Sequence, residues 1–353
     1  MTEPESPAGP PAEITHLVRE RMEARASRDW TRADSLKQEI EAAGWRVVDR
    51  GPKTSVTQAA PTSVAIDGEV RYGSASAVPP RLWEAPTVPL SVVVVASEAP
   101  QAVSRLLAGL RDHAPSGTQV VVVANDPSAD QEAALRPGAS DTAAIGGIEP
   151  EVLRTARRLA AGSALNIGLA RCTGEVVVLA DASAWPTGDA LSPLVEALGD
   201  PTVAVVGGFG LAAEHPGPLR PTELKRTNDD AVAALEAAWL AFRRADFAAL
   251  GPLDEHFVIP AWLGLWWSLR LRAGADPENP DADAAAAADA AAAAELTDEA
   301  QSQPVQLPAP RRAVRIALPL GRDETPWPPD RSRMARRNMY RVLDRFGWRD
   351  DLG

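Results

Sequence analysis

Asp181 is the residue of this chain best placed for chemistry. It follows Gly174-Glu175-Val176-Val177-Val178-Leu179-Ala180, a turn glycine feeding an apolar strand, and so stands at the strand's carboxyl edge. Ligands of open α/β sheets bind at that edge. Ala182 and Ser183 come next, and Ser183 takes the place where a second carboxylate would complete a pair for a divalent metal. Asp181 therefore reads either as half of a metal site or as the cap of a turn. A second acid, Asp126, follows Asn125 at the end of the valine run 119–124. It reads as a ligand contact or as an ordinary Asx-turn residue.

Other groups carry weaker signals. Asp254 and Glu255 lie in the turn 251–257, and Arg243 and Arg244 either meet a diphosphate or sit solvated at the surface. Trp262, Trp266 and Trp267 have helical spacing, which suits a core or a partner interface as well as stacking on a sugar. His16, His113, His215 and His256 are scattered, without ligand spacing. Cys172 is the only cysteine, so there is no disulfide framework and no thiolate zinc site; it reads as a small packing residue.

The elements that must position these residues follow from hydrophobic pattern. Residues 90–96, 119–124, 175–180 and 203–206 are apolar strands, with helices at 101–113 and 163–172 and a helix through Leu198 that Asp189 can cap. Alternation of this kind predicts a doubly wound parallel sheet, and continuous valine runs fit strands covered on both faces. Residues 311–320 read as a strand and 330–346 as a closing amphipathic helix. Towards the N-terminus, residues 13–43 read as two helices. Ile14, Leu17, Val18 and Met22 mark the first apolar face, and Trp30, Ala33, Leu36 and Ile40 the second. Asp29 caps the second helix, Gly44 ends it in a left-handed conformation, and residues 45–48 run extended. The expected organisation is a disordered stretch at 1–11, a helical hairpin at 12–50, a linker at 51–88 in which residues 63–72 pair weakly, and an α/β domain at 89–353. The last carries a low-complexity Ala/Asp insertion at 275–310.

Bulk properties bound the partners. The chain has 353 residues and a formal net charge of −12, which argues against broad nucleic-acid binding. The N-terminus is acidic and proline-rich, unlike a signal peptide, and the apolar window 257–271 is too short to span a bilayer. The expectation is a cytoplasmic protein with no membrane span.

Five elements, in order, resemble the family-2 glycosyltransferases, whose fold is GT-A. Asn125-Asp126-Pro127-Ser128-Ala129-Asp130 looks like the family's Asn-Asp-Gly-Ser-x-Asp, with proline for glycine. Gly162, Asn166 and Gly168, followed by Gly174-Glu175, look like its Gly-x-x-x-Asn-x-Gly helix and turn. Ala241-Phe242-Arg243-Arg244-Ala245-Asp246-Phe247 and Gly251-Pro252-Leu253-Asp254-Glu255-His256-Phe257 are similar to its acceptor-side elements, and Arg336-Arg337-Asn338-Met339-Tyr340 to a helix near the end of many members. The resemblance implies a doubly wound mixed GT-A sheet and inverting transfer of a sugar from a nucleoside diphosphate donor. It also implies Mn2+ or Mg2+ as cofactor. Asn125 and Asp126 would contact the nucleoside and Asp181 the metal or the ribose; Arg244, Asp254, Glu255 and Trp262 would lie on the acceptor side. Two departures stand out. The family's Asp-x-Asp reads Asp181-Ala182-Ser183, and the window for its Glu-Asp base pair, residues 259–267, contains no acid. The catalytic base is thus unassigned, and a degenerate form that binds a nucleotide or a protein partner is the companion reading.

The hairpin has its own resemblance. The stretch Arg25-Ala26-Ser27-Arg28-Asp29-Trp30-Thr31-Arg32-Ala33-Asp34-Ser35-Leu36, with Ala43-Gly44-Trp45-Arg46-Val47-Val48-Asp49, is similar to the C-terminal anticodon-binding end of cysteinyl-tRNA synthetases. None of that family's catalytic motifs or zinc ligands is present, which excludes aminoacylation. The hairpin would touch RNA through Arg19, Arg21, Arg25, Arg28 and Arg32, or serve as a protein-interaction module; Glu20, Glu23 and Asp34 weigh against RNA.

Overall fold

A computed structural model describes residues 10–50, 53–58, 62–66, 68–97, 99–213, 219–274, 311–323, 332–347, 349 and 352. The expected insertion at 275–310, and all but the last two residues of the expected disordered stretch at 1–11, lie outside the described residues. The chain forms two compact units, residues 1–62 and 63–353.

The first unit pairs α1 (Ala12–Ala26) and α2 (Trp30–Ala42) with the antiparallel strands β1 (Trp45–Arg50) and β2 (Lys53–Gln58). Asp29 caps α2 by accepting the Arg32 N–H at 3.0 Å, and Gly44 takes φ +81°. Ile14, Ala24, Ala33, Leu36 and Ile40 are buried, whereas Met22 and Trp30, expected on the apolar faces, are exposed. Arg21 is 4% exposed; its Nε donates to the Ala33 carbonyl and its Nη1 to Thr54 Oγ1, both at 3.1 Å. It fastens α1 to α2 and β2 and does not face solvent as an RNA contact would. Arg32 pairs with Glu20 and Glu39, so a second arginine of the expected RNA face is neutralised by the interleaved acids.

The second unit begins with the hairpin β3 (Ser63–Ile66) and β4 (Glu69–Tyr72). It continues through β5 (Val88–Ala96), α3 (Pro100–His113), β6 (Thr118–Ala124), α4 (Ala129–Ala134), β7 (Glu151–Thr155), α5 (Ala161–Leu169) and β8 (Gly174–Ala180). Then come β9 (Ala184–Pro186), α6 (Ser192–Ala197), β10 (Val203–Gly207), β11 (Gly210–Ala212), β12 (Lys225–Thr227), β13 (Ala231–Val232) and β14 (Ala234–Leu235). β15 (Trp239–Arg243), α7 (Arg244–Leu250), α8 (Pro260–Ala273), β16 (Arg312–Arg315), β17 (Leu320–Arg322) and α9 (Arg333–Phe346) complete it. Ten strands form one sheet in the order β13-β16-β10-β15-β8-β5-β6-β7-β4-β3. β8, β5, β6, β7 and β4 run parallel, and β15 is antiparallel to both of its neighbours, which makes this a mixed sheet, as expected. Successive valines of β5 and β6 enter different cores. Val92, Val94, Val120 and Val122 pack on one face with α3 and α6, and Val93, Val121 and Val123 on the other with α5 and α8. Among the described residues no helix is long and apolar enough to cross a membrane.

Within residues 51–88, expected as a linker with pairing at 63–72, the hairpin β3–β4 occupies 63–72, and β2 and a stretch fastened to the core are present besides. The fastener is Arg244, 6% exposed, whose Nη1 donates to the carbonyls of Arg81 and Leu82 at 3.1 Å and whose Nη2 donates to Glu84 O at 2.8 Å. A proline-rich chain in irregular conformation leaves carbonyls without ladder partners, and a buried guanidinium supplies donors in a fixed fork. Cys172 is buried just past α5, and that burial pushes its thiol up to about 12, so it packs and does not react.

Candidate functional site

The chain leaves β5 towards β6 on one side, while β8 pairs with β5 on the other. A cavity of about 250 Å³ opens at the carboxyl ends of these three strands. Val95 and Ser97 come from the end of β5, Asn125 from β6, and Leu179, Ala180 and Asp181 from β8. Arg158, Leu159, Ala161 and Leu165 enter from the β7–α5 connection and α5 itself; Ala237, Val258 and Pro260 close the other wall. A cavity where strand order reverses is the expected ligand site of a doubly wound sheet.

Asp181 reaches this cavity because its N–H donates to Ala238 O at 3.0 Å, continuing the β8–β15 ladder by one residue. Its Oδ1 accepts the Ser183 N–H at 2.9 Å, an Asx-turn, while Oδ2 has no protein partner among the described residues. Asp181 thus caps a turn, one of its two readings, and also lines the cavity. Asn125 is 5% exposed and tied at both ends, donating from Nδ2 to Leu159 O at 3.1 Å and accepting the Leu159 N–H at 2.8 Å. It shapes the wall by anchoring the β7–α5 connection. Asp126 is exposed beside the cavity wall, with φ +53° and its N–H donated to Thr155 Oγ1 at 3.0 Å. An aspartate in the left-handed region costs backbone energy that a glycine would not.

Residues 91–257 match the family model described as glycosyl transferase family 2. Over these residues the second unit is similar to the family-2 glycosyltransferases. Among solved structures, the mannosyltransferase PcManGT from Pyrobaculum calidifontis, in complex with GDP-Man and Mn2+, is 19% identical, with 65% of this chain and 79% of that one covered, at a TM-score of 0.39. GalNAc-T7 with UDP, GalNAc and Mn2+ is 14% identical, with 81% and 51% covered, at 0.47. S. aureus TarS 1-349 in complex with UDP-GlcNAc is 14% identical, with 45% and 46% covered, at 0.35. Comparison with curated proteins returned no match.

Several residues expected on the acceptor side of this family-2-like domain hold the scaffold together. Arg244 grips residues 81–84, as described, and Arg243 donates to the carbonyls of Leu198, Asp200 and Val203, so neither is placed to meet a diphosphate. Trp262 is 2% exposed inside the core, among a group that includes Trp266 and Trp267, and offers no face for stacking a sugar. Asp254 accepts from His256 Nδ1 at 2.8 Å and from Arg341 Nη1 at 3.0 Å, and Glu255 accepts from Asn166 Nδ2 at 3.3 Å. Neither acid lines the cavity.

The Gly-x-x-x-Asn-x-Gly helix has a mechanical reason. A Cβ on Gly162 would stand 2.4 Å from Asp254 O, so only glycine lets α5 approach that turn. Asn166 then exchanges two hydrogen bonds of 2.9 Å with the backbone of Leu253. From α9, Asn338 Oδ1 accepts the N–H groups of Val258 and Ile259, and its Nδ2 donates to His256 O. Two buried asparagines therefore fix the segment that supplies Val258 and Pro260 to the cavity.

The residues lining the cavity do not make up the pair of carboxylates that the family-2 resemblance implies for its divalent metal. Mg2+ takes six oxygen ligands, drawn at nucleotide sites from one or two carboxylates together with the substrate's phosphates and water. Here a single carboxylate, already accepting one N–H, lines the cavity, and Ser183 stands in the second position. No group of three or more His, Cys, Asp or Glu side chains among the described residues is arranged to hold a metal ion. Arg158 was missed from sequence. Its signal is the Arg157-Arg158 pair immediately before a glycine-bearing helix.

The Ala237 wall is held by its neighbour. Glu236, 4% exposed, accepts from Arg226 at 2.7 and 3.0 Å and from Arg322 at 2.6 and 3.2 Å. Burial alone would raise its carboxyl, but the two guanidiniums outweigh that and hold it below the usual glutamate value. Its stabilisation is therefore complete above the unfolded-state value and lost as pH falls through the lower folded-state value. Thermal melts from about pH 6 to about pH 3 are expected to fall more steeply for the native chain than for Glu236→Gln, which costs about 2 kcal/mol at neutral pH. Parallel acid limbs would refute the assignment.

Proposed function

We propose that the cavity at the ends of β5, β6 and β8 is the donor site of a glycosyltransferase, taking a nucleoside diphosphate sugar and passing the sugar with inversion to an acceptor hydroxyl. The observation that carries this reading is Asp181, whose Oδ2 has no protein partner among the described residues and which lines the cavity where strand order reverses. Asp126, exposed and strained beside Asn125, is the nucleoside contact in this reading. In the transfer, the acceptor oxygen bonds to the anomeric carbon as that carbon's bond to the diphosphate oxygen breaks, and the hydroxyl proton passes to a base. The solved relatives complexed with GDP-Man, UDP or UDP-GlcNAc lend the donor class its chemical identity.

A second reading has its own observation. Among the described residues Asp181 is the one carboxylate on the cavity wall, and the side formed by Val258, Pro260 and Ala237 has no side chain that accepts a proton. On this reading the domain binds a nucleotide without transferring a sugar.

Calorimetric titration with UDP, GDP, ADP, CDP and dTDP tests both. Binding that Asp181→Ala weakens at least about tenfold supports the donor site. Release of nucleoside diphosphate from the matching sugar nucleotide selects transfer over binding alone. No binding of any nucleotide in the panel would sink the donor-site reading. The RNA reading of the N-terminal hairpin loses support from the burial of Arg21 and the pairing of Arg32 with Glu20 and Glu39.

A further inference from the structure

A nucleoside diphosphate brings two charged phosphates into this cavity, and positive charge has to meet them. The described wall offers a metal ion one carboxylate in place of the expected pair, which gives weight to positive charge supplied by the wall itself. The wall is asymmetric: among the described residues Asp181 is its one acid and Arg158 its one base. Asp181 ends β8 and Arg158 follows β7, three inter-strand steps away across β5 and β6, about 14 Å at the level of the sheet. A ligand that long and that polar at both ends spans the gap. Also on the wall is Ala161, the first residue of the nine-residue helix α5, whose N-cap Ala160 contributes no side-chain hydrogen bond. The amino end of α5 thus adds positive potential on the same side as Arg158. A guanidinium suits phosphate because it offers paired donors in one plane and keeps its charge.

We propose that this cavity binds its nucleoside diphosphate without a divalent cation, Arg158 meeting the phosphates with the amino end of α5 behind it, and Asp181 accepting from a donor hydroxyl. The proposal rests on the donor-site reading above.

The full chain is titrated with the UDP, GDP, ADP, CDP and dTDP panel, once in EDTA and once in excess Mn2+. The expected result is one binding nucleotide whose Kd differs by less than about twofold between the two conditions. Arg158→Gln is expected to weaken it at least about tenfold, Arg158→Lys less, and the adjacent, exposed Arg157→Gln by less than about twofold, with melting temperatures reported for each variant. Binding at least about tenfold weaker in EDTA would overturn the proposal while leaving the donor site intact. So would an Arg158→Gln chain that melts normally and binds normally. Failure of every nucleotide under both conditions would remove the donor site itself, and this proposal with it.

Discussion

Asp246→Ala is expected to destabilise the α/β unit by about 3–5 kcal/mol. Asp246 Oδ2 lies 2.7 Å from Arg311 Nη1, and the two side chains are 3% and 4% exposed. Arg311 Nη2 also donates to Leu271 O at 3.1 Å, so the guanidinium binds the end of α8 to the start of β16. Removing the carboxylate leaves a buried charge without its counter-charge, which costs far more than one lost hydrogen bond. The double variant Asp246→Leu with Arg311→Met removes both charges and is expected to recover most of the loss. Urea unfolding of the three chains decides the matter. A single variant within about 1 kcal/mol of the native chain would show that the pair carries little.

Gly264→Val is expected to cost about 3 kcal/mol and to weaken nucleotide binding at the same time. A Cβ at this position would stand 2.4 Å from Ala237 N and 2.7 Å from Ala237 Cβ. The obstruction is backbone, which cannot turn aside as a flexible side chain would. Either α8 lifts off the sheet or the segment around Ala237 moves, and Ala237 is part of the cavity wall. Gly264→Ala, with the same Cβ but no branching, is expected to follow in the same direction with a smaller loss. Denaturant melts and the nucleotide titration read the two effects separately; an unchanged melt for Gly264→Val would refute the contact.

The central strands were legible because both faces are buried. β5, β6 and β8 are written as valine runs, and that pattern has few other meanings in a chain of alternating elements. β7 was not read, because Glu151-Val-Leu-Arg154-Thr155 carries charge inside a buried strand. Arg154 is 7% exposed and is neutralised by Glu69 and Glu132, partners that only the folded chain brings together. The misread linker has the same cause: its order depends on Arg244, some 160 residues away. At the site, Asp181 and Asn125 follow from strand ends and were legible in advance. Arg158 was not, since an arginine in a connection looks like any surface arginine until the cavity is seen beside it. Arg243 and Arg244 misled for the converse reason, while Trp262 took the core position that was one of its readings. The two arginines are of a type that suits ligands, but here they satisfy backbone carbonyls.

The two asparagines that grip residues 253–259 are expected to set the tempo of ligand entry. Leu253 is held from α5 and Val258 and Ile259 from α9, so one side of the cavity is already assembled before any ligand arrives. A wall braced at both ends does not have to fold around what it receives. Encounter and capture then become one event. In a stopped-flow trace that means a single exponential whose observed rate climbs in proportion to ligand concentration, with no plateau from a slow closing step.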